Sequence, residues 1–140
     1  MASYNKFNVF TTDLVNGKHV FNSNVYKVML TNTAPVATNS VKADITEITA
    51  GNGYTAGGTA STITVSTSTG TAKVTAADVV FTAAGGTIGP LRYAVIYNDT
   101  QTSPVKPLVA WWDYGSSITL NDTETLTVDF DNTNGIFTVV

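Results

Sequence analysis

The segment Arg92–Gly115, RYAVIYNDTQTSPVKPLVAWWDYG, constrains the fold more than any other. It reads as two apolar, aromatic-rich strands, Tyr93–Tyr97 and Leu108–Trp112, joined by a polar loop marked by prolines. Strands this apolar belong in the middle of a sheet, where both faces are covered. The adjacent Trp111 and Trp112 sharpen the point. Neighbours on a strand point to opposite faces, so only one of them can enter a given core. The other requires a second cover. Two covers fit the sequence: an N-terminal helix carrying Phe7 and Phe10, or a neighbouring subunit, since Trp and Tyr are enriched at interface hot spots.

The rest of the chain supports a sheet protein. Ile63 and Val65 alternate with Thr62, Thr64 and Ser66, and Leu126, Val128 and Phe130 alternate with Thr125, Thr127 and Asp129. This period of two gives one dry and one wet face. Val25–Leu30 and Val79–Thr82 read as further strands, and Ile136–Val140 as the last. Ala83–Pro90 and Asp131–Gly135 read as turns. Two helices are expected. Phe7, Phe10 and Leu14 share a helical face, with Ser3 as a cap and Gly17 as a stop. Val41, Ile45 and Ile48 share another, capped by Ser40. The expected fold is mainly β: an antiparallel β-sandwich or jelly-roll-like domain with a short N-terminal helix. The chain of 140 residues reads as a single domain. Its N-terminal helix or arm covers residues 3–16, and its β-rich body covers 25–140.

Only 12% of the residues are charged, about half the usual share, and Thr, Ser and Asn take their place. Such a surface suits β-rich extracellular or virion proteins. The net charge is −3, and the seven Lys and Arg are scattered singly. Nucleic-acid binding needs a clustered basic face, so no nucleic-acid partner is expected. No run approaches the roughly 18 apolar residues of a membrane span, and Met1–Asn8 lacks an apolar leader core. There is no cysteine, hence no disulfide and no thiolate chemistry. The sequons at Asn98 and Asn121 are read as chance matches.

Candidate chemistry is sparse. Gly51-Asn52-Gly53-Tyr54-Thr55-Ala56-Gly57-Gly58 lacks the Lys-Ser/Thr of a phosphate loop and reads as a turn with positive φ angles. Asp129 and Asp131 are too few carboxylates for a calcium loop and read as a polar strand face entering a hairpin turn. Asp113, Glu124, Asp129 and Asp131 could in principle furnish a glycosidase-type pair, and Asp129 or Asp131 could then serve a small hydrolase. His19 reads as a surface residue in a polar turn, not as a general base. The expectation is no enzyme, no metal and no cofactor.

The chain resembles a family of small structural proteins of tailed bacteriophages, the capsid decoration or cement proteins. The resemblance runs through Tyr26–Pro35 (YKVMLTNTAP), Ala43–Gly58 (ADITEITAGNGYTAGG), Gly89–Asn98 (GPLRYAVIYN), Leu108–Leu120 (LVAWWDYGSSITL) and the ending Val128–Phe137. It implies a virion protein on the capsid exterior, made in the bacterial host cytoplasm. The implied partners are the major capsid protein and further copies of itself, commonly as a homotrimer clamping neighbouring subunits. Expected protein-interface residues are Tyr4, Phe7, Phe10, Trp111, Trp112 and Tyr114. The competing reading is a tail- or fibre-associated module that binds a host surface glycan, because aromatic rings beside hydrogen-bonding groups suit sugar faces.

Overall fold

A computed structural model of the protein describes residues 3–140. Met1 and Ala2, part of the segment read as lacking a leader, lie outside the described residues. The chain folds as a mainly β, antiparallel sandwich with one short N-terminal helix. In chain order the elements are β1 (Ser3–Lys6), α1 (Asn8–Val15), β2 (Tyr26–Thr31), β3 (Thr59–Ser61) and β4 (Ile63–Ser68). They continue with β5 (Thr71–Ala76), β6 (Val79–Thr82), β7 (Ile88–Asn98), β8 (Leu108–Leu120), β9 (Thr125–Val128) and β10 (Phe137–Val139). A five-stranded sheet runs β1-β8-β7-β2-β3, and two smaller sheets run β10-β5-β4 and β6-β9.

The two apolar strands of the opening segment are β7 and β8, and β7 lies at the middle of the large sheet. Both faces of that sheet are covered. Val28, Leu30, Ala94, Ile96 and Ala110 meet Val74, Ala76, Val79 and Phe81 of the smaller sheets, and Phe130 beyond β9, in the main core. On the other face, Phe7, Met29, Val95, Tyr97 and Leu108 form a second cluster, with Val9, Ile45 and Trp111 packed against it. Burial on both faces explains why β2 and β7 read as nearly continuous apolar runs.

The N-terminal segment differs from the expected helix over residues 3–16. Ser3–Lys6 is a strand paired with β8, so Ser3 lies in the sheet and not at a helix cap. The helix begins only at Asn8, after an extended Phe7 (φ −74°, ψ 142°) whose N–H donates to Val109 O. Open pairing positions on β8 outweigh a helical turn that lacks a side-chain cap. Gly17 does end the helix, at φ +71°. Lys18 N–H donates to Asp13 O and Gly17 N–H to Leu14 O, the paired bonds of a Schellman motif.

The second expected helix, Val41–Ile48, shrinks to one 3₁₀ turn at Lys42–Asp44. Beyond it the chain is extended, because Glu47 bridges Thr31 of β2 and Ile48 N–H donates to Leu30 O. Sheet hydrogen bonds here outcompete a weak helical periodicity. The glycine-rich connection takes its positive φ angles at Gly51, Gly53, Gly57 and Gly58, as expected. At Gly58 the need is also steric, since a Cβ would stand 1.9 Å from the Val28 carbonyl oxygen.

Candidate functional site

The large sheet aligns Tyr4 of β1, Trp112 of β8, Ala94 of β7 and Leu30 of β2 in one cross-strand row. Ala94 is small, so it leaves space between Trp112 and Leu30. Facing this row is β9, which among the described residues pairs with β6 alone. Between the two lies a groove of about 750 Å³. Its apolar walls come from Leu30, Leu91, Ala94, Trp112, Leu126, Val128 and Phe130. Six consecutive residues, Leu126–Asp131, line it, the first three of them in β9. A strand contributes consecutive residues to one surface only along its backbone edge, so the unpaired edge of β9 opens towards the groove.

The Trp112 ring is held edge to face by Tyr4, at 5.6 Å between centroids, and by Phe130, at 5.1 Å. Two residues on along β8, Tyr114 shares its face and is 56% exposed. Arg92 closes one end. Its guanidinium donates two bonds to the Asp113 carboxylate, at 2.8 and 3.0 Å, and lies 5.3 Å from the Tyr93 ring centroid. That bidentate pair, with a further bond from Gly115 N–H, holds the Asp113 carboxyl below its usual range.

At the other end the turn after β9 is tied by Asp131. Its carboxylate accepts from Thr133 N–H, from Asn134 N–H and from the Asn134 side-chain amide. The bonds from Asn134 lead in holding the Asp131 carboxyl below its usual range. Asn134 is thereby fixed with its carbonyl oxygen open. Asp129 is exposed and makes no bond or ion pair among the described residues.

The expected interface residues divide into two sets. Phe7 and Phe10 are 0% and 3% exposed, so neither ring is offered to a partner. Phe7 packs on Trp111 at 4.5 Å, whereas Phe10 enters the main core beside His19, Phe21 and Phe137. The second tryptophan face is therefore covered by the chain's own N-terminal segment. Phe7 supplies that cover from outside the helix, and Phe10 does not take part. Trp111 and Trp112 are half-buried. Tyr4, at 40% exposed, and Tyr114 keep accessible rings.

His19 is not a surface residue. It is 5% exposed, stacked against Phe21 and Tyr26, with Nδ1 3.2 Å from the Tyr26 hydroxyl. Burial lowers its pKa to about 4, so it is neutral at pH 7. The polar turn around it gives no hint of this, because Phe10 and Phe21 reach it from either side in sequence. Asn98 of the first sequon is also wholly buried. Its amide donates to Lys18 O and Asn24 Oδ1, and its oxygen accepts from Thr100 and Gln101 N–H, so it is a structural clamp.

Sequence reasoning missed Glu47. Its carboxylate accepts from Tyr54 OH at 2.7 Å, from Gly57 N–H and from Lys42 Nζ at 3.0 Å. Burial alone would raise this carboxyl, but those three donors outweigh it and hold it low. Tyr97 OH closes the network by donating to Gly57 O at 2.6 Å. The conformation of the glycine-rich loop is fixed by this carboxylate. Asp113, Glu124, Asp129 and Asp131 do not form one centre. Asp113 is tied to Arg92, Glu124 accepts from Asn121 N–H, and only Asp129 and Asp131 reach the groove. No group of three or more acidic or histidine side chains among the described residues is placed to hold a metal. No family model, curated protein or solved structure matches the chain.

Proposed function

We propose that this chain is a bacteriophage virion structural protein of the capsid decoration type, which binds the outer capsid surface and stabilises contacts between major capsid protein subunits. The resemblance set out from the sequence suggests the class, and the surface of β3–β5 supports it. No charged residue occurs between Glu47 and Lys73. This stretch forms β3, β4 and the start of β5, and β4 is a free edge whose residues from Thr64 to Ser68 are exposed. Burying charge in an interface costs several kcal/mol per unpaired ion, on the order given by buried-ion measurements, whereas threonine and serine can exchange water for protein partners. A charge-free edge is thus suited to close contact with another protein, and charged residues are depleted at interface centres.

Each such contact can be modest. A symmetric oligomer, for which a trimer is the expectation, engages several capsid subunits at once and gains from effective concentration. The deciding experiment is cryo-EM of the virion. Density for this chain on the outer capsid lattice, with β4 against the shell or a sister copy, is the expected result. Density confined to the tail, or none at all, overturns the proposal.

A further inference from the structure

We infer that the groove between Trp112 and β9 is a binding site for a neutral saccharide. The inference does not depend on the capsid reading, because it concerns a different face of the molecule. The groove's volume, about 750 Å³, falls in the range of small-ligand sites, about 300–1,000 Å³. Its walls are apolar, with a few polar groups converging on it, which is the usual make-up of such sites.

The ligand class follows from what those groups can recognise. A pyranose ring has an apolar C–H face and a rim of hydroxyls. Trp112 and Tyr114, on one face of β8, offer aromatic surface for the first. Asp129, Asn134 Oδ1 and the Thr133 hydroxyl line the opposite wall and have no partner among the described residues. They can accept hydrogen bonds from the second. Asn134 is already oriented by Asp131, which lowers the ordering cost of binding.

Two other occupants fit less well. An anionic ligand needs a free cation, and the one cation lining the groove among the described residues, Arg92, is committed to Asp113. A peptide strand needs an edge to pair with, and β9 spans only four residues, Thr125–Val128, followed by a charged residue and a turn.

The test is a glycan array carrying neutral and acidic bacterial and mammalian oligosaccharides, followed by tryptophan-fluorescence titration of the purified chain with the neutral oligosaccharide that binds best. Binding of a neutral glycan is expected, weakened about tenfold in Tyr114→Ala, as when one contact-centre aromatic is truncated. Asp129→Asn should weaken it as well. Both positions are exposed, so their melting temperatures should match the parent's and loss of binding cannot be ascribed to unfolding. An array with no neutral glycan above background overturns the inference. So does binding restricted to acidic glycans, or binding that both variants retain.

Discussion

The residue with the clearest solution signature is His19. In the unfolded chain its imidazole titrates near its ordinary value of about 6.5, while in the folded core it does so at about 4. Between those values the unfolded state binds more protons, so stability falls as pH is lowered through the window. The loss approaches about 2 kcal/mol by pH 5, before the carboxylates held low by hydrogen bonds, Glu47, Asp99, Asp113 and Asp131, begin to protonate. Those carboxylates add their own losses at lower pH, with the same sign. Urea unfolding at pH 7 and pH 5 should show this slope in the parent chain and lose most of it in His19→Gln. An unchanged slope in the variant would assign the effect elsewhere. Neither the burial of His19 nor the role of Glu47 could be read locally. Both depend on residues brought together across the fold, such as Asn98 beside His19 and Tyr97 beside the Gly57 that Glu47 holds.

Among the elements, the Tyr93–Tyr97 stretch of β7 and the Leu108–Trp112 stretch of β8 were the most legible, because strand covered on both faces leaves an unbroken apolar run. The alternating β4 and β9, the turn at Asp131–Gly135 and the helix stop at Gly17 were legible for equally local reasons. β1, β3 and β5 were not. They hold few large apolar residues and are strands because β8, β2 and β4 offer them hydrogen-bonding edges. The N-terminal segment shows the same competition, with pairing to β8 taking Ser3–Lys6 from the helix. Its consequence is testable. Phe7→Ala removes a fully buried ring from Trp111, which should cost about 3–5 kcal/mol in chemical denaturation and shift tryptophan emission to the red. An unshifted spectrum would mean that something other than this segment covers Trp111.

For the whole molecule, the division of charge matters most. The cations are mostly tied up internally, Lys27 and Lys106 to Asp99, Lys42 to Glu47 and Arg92 to Asp113, and the stretch between Glu47 and Lys73 carries no charge, so the β4 edge is charge-free. An edge lysine is a common natural block to strand association. Thr67→Lys should therefore leave the fold within about 0.5 kcal/mol of the parent, as for most exposed substitutions, while reducing association with purified capsids in a sedimentation assay. Unimpaired co-sedimentation would remove β4 from the contact. The sequence by itself determined the class of this molecule: antiparallel sheet, two apolar central strands, and a tryptophan pair that must be covered on both sides. Strand periodicity and side-chain alternation are local, so they survive in the linear order of residues. Only the tertiary structure decided what covers each tryptophan, that His19 is dry, and that Trp112 and Tyr114 stand across a groove from Asp129 and Asn134. Those facts arise where segments distant in the chain meet, and which edges and faces meet is set by competition among all the elements at once.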